Sequence, residues 1–266
     1  MLVTSRGDAV QVVLQVDHQD QCALMAAGWG SDGFARPEPF APIELAAACH
    51  DEGWRDWEAA PEVDGEGRPL DFVELDRARH TDLYRQGIAD AVTRDPKAGL
   101  LVAMHGRGLY QSRLGLDGPP RPPDELPEPG RAFVREQLAL EDRLRAGLGG
   151  GARLERWAWA AYRLLQTWDT LSLYLIWGGL PQGRSRSLGM VPRRVGDPGV
   201  DVRVSPAGAD TAVADPFPFA GRSLALPVRA RTIEDRRYAD DDDLRAALAA
   251  AAWEEREYRV VAGAEH

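Results

Sequence analysis

Lysine is almost missing from this chain. Of its 32 basic residues only Lys97 is a lysine, and the others are arginines. With the abundant alanine, glycine and proline, this reads as the codon usage of a GC-rich genome and carries no functional weight. Cysteine is nearly as scarce. Cys22 and Cys49 are the two present; two such distant residues make no disulfide framework. Each sits in an apolar helical stretch, where a thiol behaves as a small buried hydrophobe. No run reaches the roughly 18 apolar residues that a membrane span needs. The opening MLVTSRGDAVQ lacks the basic-then-apolar layout of a secretion signal, so a cytoplasmic protein with no membrane partner is expected. Positive charge is in deficit. A net charge of −10 argues against sequence-independent nucleic-acid binding, which rests on neutralising phosphates. What is there is ordinary for a globular chain: 266 residues, 44 % hydrophobic and 28 % charged. That length allows one sizeable core and a smaller appendage.

Read along the chain, AVQVVLQV (residues 9–16) is a β-branched strand. Asp17 then looks like the N-cap of a helix over 18–29. A second helix is expected over 43–50, continuing towards Trp57, and a third over 73–92. A fourth begins at Pro96, well placed in a first turn, and runs to Tyr110. The stretch GLDGPPRPPDELPEPG breaks regular structure and suggests a surface loop or lid. Residues 131–148 form an amphipathic helix, and 154–177 an apolar, aromatic central one. After Gly178 short strands follow (VDVRVSP, TAVADPFPF, RSLALPVRART, EYRVVAG), interrupted by a helix over 243–256. The expected fold class is therefore mainly α: a helical bundle with a small antiparallel β-sheet from the N-terminal strand and the C-terminal segment. The expected units are a helical metal-binding domain over 1–178 and a β-rich extension over 179–266.

Chemistry concentrates in the histidines. His266 is terminal and is set aside; the other four of the five lie within the first 105 residues, each on or at the end of an expected helix. In CHDEGW, His50 and Asp51 follow the apolar run LAAAC, and a carboxylate buried there without partners would be costly. Adjacent side chains on a helix project about 100° apart, so both can meet one ion only if the helix ends suitably. Asp169 lies inside LLQTWDTLSLYLIW and must be paired, coordinated or neutralised. His105 shares a helix face with Leu101 and Leu109 and so points to the core. His18 and His80 complete the set. Imidazole and carboxylate together suit Fe, Mn or Zn. Four histidines and two aspartates exceed a closed tetrahedral zinc site, and suit two divalent ions that share a carboxylate.

The order His, His-Asp, His, His, Asp resembles the HD-domain superfamily over about residues 17–177. The wording around it also resembles a bacterial family of unknown function within that superfamily. The resemblance implies an HD-like bundle, metal ligation by His18, His50, Asp51, His80, His105 and Asp169, and Asp51 as the bridging carboxylate. One departure stands out: many members with two metals carry Lys in HD-x-G-K, and here that position is Trp54. Anion contacts are then expected from arginine. Arg79, Arg107 and Arg113 lie near the ligand histidines in sequence, and Trp54 and Trp57 could stack on a substrate. Glu52 and Asp82 are candidates for orienting a ligand histidine.

The expected activity is metal-dependent hydrolysis of a phosphate ester or nucleotide-like substrate at a dinuclear centre, with a small anionic substrate as partner. HD-type di-iron oxygenases share the ligand order, so oxygenase chemistry and a non-catalytic metal-binding protein stay open, as does a homodimer. The run Asp240–Asp243 reads as the acidic start of a helix, and Trp157, Trp159, Trp168 and Trp177 as core.

Overall fold

The computed structural model describes residues 1–263, so His266 lies outside the described residues. A hairpin of β1 (Leu2–Arg6) and β2 (Ala9–Val13) leads into α1 (Gln15–Gly28). Next come α2 (Ala41–Ala47), a 3-10 turn over Glu52–Trp54, and the single turn α3 (Arg55–Glu58). The long helices α4 (Arg77–Arg94) and α5 (Pro96–Tyr110) form a hairpin, followed by the tight turn α6 (Ser112–Gly115). Then come α7 (Gly130–Gly147) and α8 (Ala152–Leu173), the latter extended by a π-helical turn over Tyr174–Gly178. The remainder holds β3 (Arg186–Val191), β4 (Val200–Pro206), β5 (Thr211–Asp215), β6 (Ser223–Glu234), α9 (Asp241–Ala250) and β7 (Glu254–Ala262). No helix among the described residues is long and apolar enough to cross a membrane.

The expectation of a mainly α bundle with a small sheet is corrected. The protein is 49 % helical and 21 % strand, and all strands among the described residues join one seven-stranded sheet in the order β1-β2-β6-β7-β5-β4-β3. Nor is the sheet wholly antiparallel, because β5 runs parallel to β7. The reason is alternation. Strands such as β6 bury only every other residue, so their apolar content looks slight in sequence. The hairpin strand β1 and the edge strand β3, with its irregular register between Leu188 and Val191, gave no run of alternating apolar residues at all.

Helix starts follow local chemistry. Asp95 accepts from the backbone N–H groups of Lys97 (2.7 Å) and Ala98 (2.9 Å), and Pro96 fills the first turn of α5. Asp76 caps α4 in the same way (3.0 Å to Ala78 and Arg79), which moves its start from 73 to Arg77. Asp17 is not the N-cap of α1. It lies inside the first turn, and Glu58 from α3 accepts the buried Gln15 N–H at 2.6 Å. The second helix stops at Ala47, short of His50. His50 and Asp51 therefore sit in an irregular turn and are released from the fixed helical angle between neighbours.

The central helix α8 is buried over most of its length between α1, α2, α5 and β3. Trp168 meets Trp29 edge-on at 5.7 Å between ring centroids, and Trp29 meets Phe219 at 5.6 Å. Arg163, also buried, donates to the carbonyls of Met190, Asp197 and Pro198 at 2.7–3.2 Å and ties the β3–β4 loop to the helix.

Gly53 explains how α4 comes so near the His50-Asp51 turn. A Cβ there would stand 2.0 Å from the Leu83 carbonyl oxygen and 3.0 Å from the Gly87 nitrogen. Gly53→Ala is expected to lower stability by about 3 kcal/mol in urea denaturation, since backbone cannot yield as a side chain can. Gly65→Ala, with open space around it, should change little. Equal effects at both positions would refute the close approach.

Candidate metal centre

Five of the six expected ligands converge. His18 comes from α1, His50 and Asp51 from the turn after α2, His105 from α5 and Asp169 from α8, and all are buried. His18 Nε2 lies 3.2 Å from Asp169 Oδ1 and 3.8 Å from Asp51 Oδ2, and His50 Nε2 lies 3.6 Å from Asp51 Oδ2. Potential ligand atoms of His50, Asp51 and His105 fall within 4.8 Å of one another, as do those of His18, Cys22 and His50. Burial pushes the Cys22 thiol well above its usual range, so it stays protonated.

The sixth residue, His80, stands aside. Its Nδ1 is 2.6 Å from the Tyr110 hydroxyl, and its ring packs on Tyr84 (4.9 Å) and Trp54 (5.5 Å). It lines the same cavity without joining the ligand cluster. Burial lowers both His80 and His105 to about 4, which keeps their rings neutral near pH 7.

Tautomers at the centre follow from the hydrogen bonds. Gln21 donates to the Leu226 carbonyl, which turns its Oε1 to accept the Ser172 hydroxyl at 2.8 Å. Ser172 Oγ must then accept from His18 Nδ1, 2.7 Å away. His50 Nδ1 donates to the Ala47 carbonyl at 3.0 Å. Each ring thus directs its other nitrogen, Nε2, at a carboxylate: His18 lies within hydrogen-bond distance of Asp169 (3.2 Å), and His50 Nε2 is buried with no hydrogen-bond partner. A ring nitrogen facing a buried carboxylate is stable only with a positive charge between them, a proton or a metal cation. The donor set therefore fits a cation.

Other groups fix the carboxylates. Tyr84 donates to Asp51 Oδ1 at 2.8 Å, and burial followed by the Asp51 charge holds its phenol proton well beyond the usual range. The Asp51 N–H donates to Gln19 Oε1 at 2.9 Å, and Gln19 donates to Glu52 at 3.1 Å. Arg113 donates to Asp169 Oδ2 at 2.6 Å and also to Gln166 Oε1. Burial alone would raise the Asp169 carboxyl; Arg113, with the His18 contact, reverses this and holds it well below its usual range.

Above this floor opens a cavity of about 380 Å³. Arg77, Arg113 and Arg121 line it with Phe72, Leu126 and Leu173. Of the three arginines expected to bind an anion, only Arg113 lines it. Arg79 is forked onto Glu62 (2.5 and 2.7 Å), and Arg107 onto the buried Glu141 (2.5 and 3.0 Å). Trp54 and Trp57 are buried in the core rather than at the cavity wall. Glu52 reaches Gln19 and Arg55 instead of a histidine, and Asp82 pairs with Arg85 at the surface. Sequence reasoning missed Arg77, Arg121, Tyr84, Gln166 and Ser172. Spacing held a clue to three of these: Gln166 and Ser172 flank Asp169 by three positions, and Tyr84 follows His80 by four.

The chain belongs to the family described as Protein of unknown function (DUF3891), whose profile matches residues 1–235 and so spans every residue of the centre. No curated protein and no solved structure matches it.

The Arg113–Asp169 pair yields a pH prediction. Asp169 is depressed relative to an unfolded value near 3.8, so its contribution is present above about pH 4 and lost as pH falls through the folded value. In metal-free protein Arg113→Leu should cost about 3 kcal/mol at pH 7 by leaving a buried carboxylate unpaired. That deficit should shrink at acidic pH, where Asp169 in the variant takes up a proton, and on saturation with Mn(II). A deficit in urea denaturation that neither treatment changes would contradict the pairing.

Proposed function

We propose that the chain is a metal-dependent hydrolase of a small phosphate ester, built on an HD-like ligand set. One observation carries this reading: two imidazole Nε2 atoms face two buried carboxylates on the floor of an arginine-lined cavity. His18, His50, Asp51 and Asp169 would hold a cation. Buried nitrogen and carboxylate donors favour Fe, Mn or Zn over Mg or Ca. A divalent cation held there would supply Lewis acidity and a water acidified towards neutral pH.

The chain's own residues account for the rest. Arg77 and Arg121 line the cavity, where their guanidinium groups are placed to bind an anion. Arg113 neutralises Asp169 and carries further N–H groups for a phosphoryl oxygen. Phe72, Leu75, Leu109, Leu126 and Leu173 offer an apolar wall to the organic part of the ester and limit water. Tyr84 keeps Asp51 in one orientation by hydrogen bonding to its outer oxygen. A volume of about 380 Å³ suits a compact substrate rather than a polymer.

Elemental analysis of protein purified without chelator, with turnover of a chromogenic aryl phosphate, tests the reading. Bound Mn, Fe or Zn is expected, lost in His50→Ala, with hydrolysis lowered about 100-fold or more, a barrier increase of about 2.7 kcal/mol. A metal-free protein whose hydrolysis is the same in wild type and His50→Ala would sink it. Two irons per chain with dioxygen uptake would instead favour oxygenase chemistry.

A further inference from the structure

Hydrogen-bond polarity runs in one direction from Arg113 to His105. A guanidinium has donors only. Arg113 donates to Gln166 Oε1, and this turns the other end of the amide, Nε2, to within 2.7 Å of His105 Nδ1. An amide nitrogen donates and does not accept, so His105 Nδ1 is the acceptor. A neutral imidazole has one N–H, and in His105 it is therefore carried by Nε2. The flanking histidines are the reverse. Ser172 and the Ala47 carbonyl accept hydrogen bonds from Nδ1 of His18 and His50 and leave their Nε2 atoms to face the carboxylates.

Two further contacts bear on the same question. His105 lines the cavity, and with Nδ1 tied to Gln166 its protonated nitrogen is the one left for whatever the cavity holds. Asp51 Oδ1, the oxygen turned from His18 and His50, already accepts one hydrogen bond from Tyr84 at 2.8 Å. We infer that Gln166, oriented by Arg113, fixes His105 as the Nε2–H tautomer, making it a hydrogen-bond donor to an anionic ligand in the cavity and not a nitrogen ligand of the cation. The centre then holds one ion, on His18, His50, Asp51 and Asp169. The anion rests on the hydrolase reading above; the tautomer stands independently of it.

Long-range ¹H–¹⁵N correlation spectra of the metal-free, ¹⁵N-labelled protein read ring tautomers directly. His105 should carry its proton on Nε2, with His18 and His50 carrying theirs on Nδ1. Gln166→Glu puts an acceptor beside Nδ1 and should reverse His105 alone. In Mn(II) titrations wild type should bind one ion per chain. His105→Ala should keep that ion within about threefold in affinity while hydrolysis of the aryl phosphate falls about 100-fold. An Nδ1–H signal for His105 in wild type would overturn the assignment, and so would two ions of which one is lost in His105→Ala. An Nε2–H signal in a protein that hydrolyses no phosphate ester would support the tautomer while removing the hydrolase reading.

Discussion

Two carboxylates, Asp51 and Asp169, are buried side by side among helices, and the centre of the molecule is arranged around compensating them. An ionised carboxylate in such surroundings is tolerated only with hydrogen bonds and opposite charge. Each aspartate is accordingly met from several elements. Tyr84 of α4 and Gln19 of α1 fix Asp51; Arg113 of α6 and His18 of α1 fix Asp169. The helices could hardly pack otherwise, since removing any one of these elements would strand a charge.

The sheet takes part in this arrangement although it lies outside the cavity. Gln21 reaches from α1 to the Leu226 carbonyl on β6 and passes its orientation through Ser172 to the ring of His18. A backbone carbonyl in the middle of a seven-stranded sheet thus directs which nitrogen of a candidate metal ligand faces the carboxylates. A small sheet appended beside the bundle would not explain this. The strand sits deep enough that α1 packs along it.

Much of this was legible in the sequence, and the rest was hidden for physical reasons. Pro96 announced the start of α5, and the apolar, aromatic pattern of α8 announced the central helix. His50, Asp51, His105 and Asp169 were readable because ionisable groups inside apolar runs need partners. The partners themselves were not. His18 meets Ser172 across 154 positions, and no local pattern encodes that contact. The arginines were misread for a simpler reason. Arg77 and Arg79 are two positions apart on one helix and so project in nearly opposite directions, one into the cavity and one to Glu62. Nearness in sequence selected the wrong one. The strands were underestimated because half of each faces away from the core, and the expected N-cap Asp17 lost its place to Glu58, 43 positions from the N–H it accepts.

Arg113 arrives at Asp169 on unusual backbone. Ser112, Arg113 and Leu114 all lie in the left-handed region, with φ of 51°, 48° and 54°, and none is glycine. Each such residue costs roughly 1 kcal/mol or more. The ion pair and the contact with Gln166 hold this segment against its own preference. Ligand chemistry and chain geometry are therefore wound on the same spring: whatever draws Arg113 away from the carboxylate also unloads three strained residues. The proline-rich segment beyond them, which carries Arg121 and Leu126 to the cavity, is tied to the same stretch, because Gln111 donates to the Arg121 carbonyl at 2.7 Å.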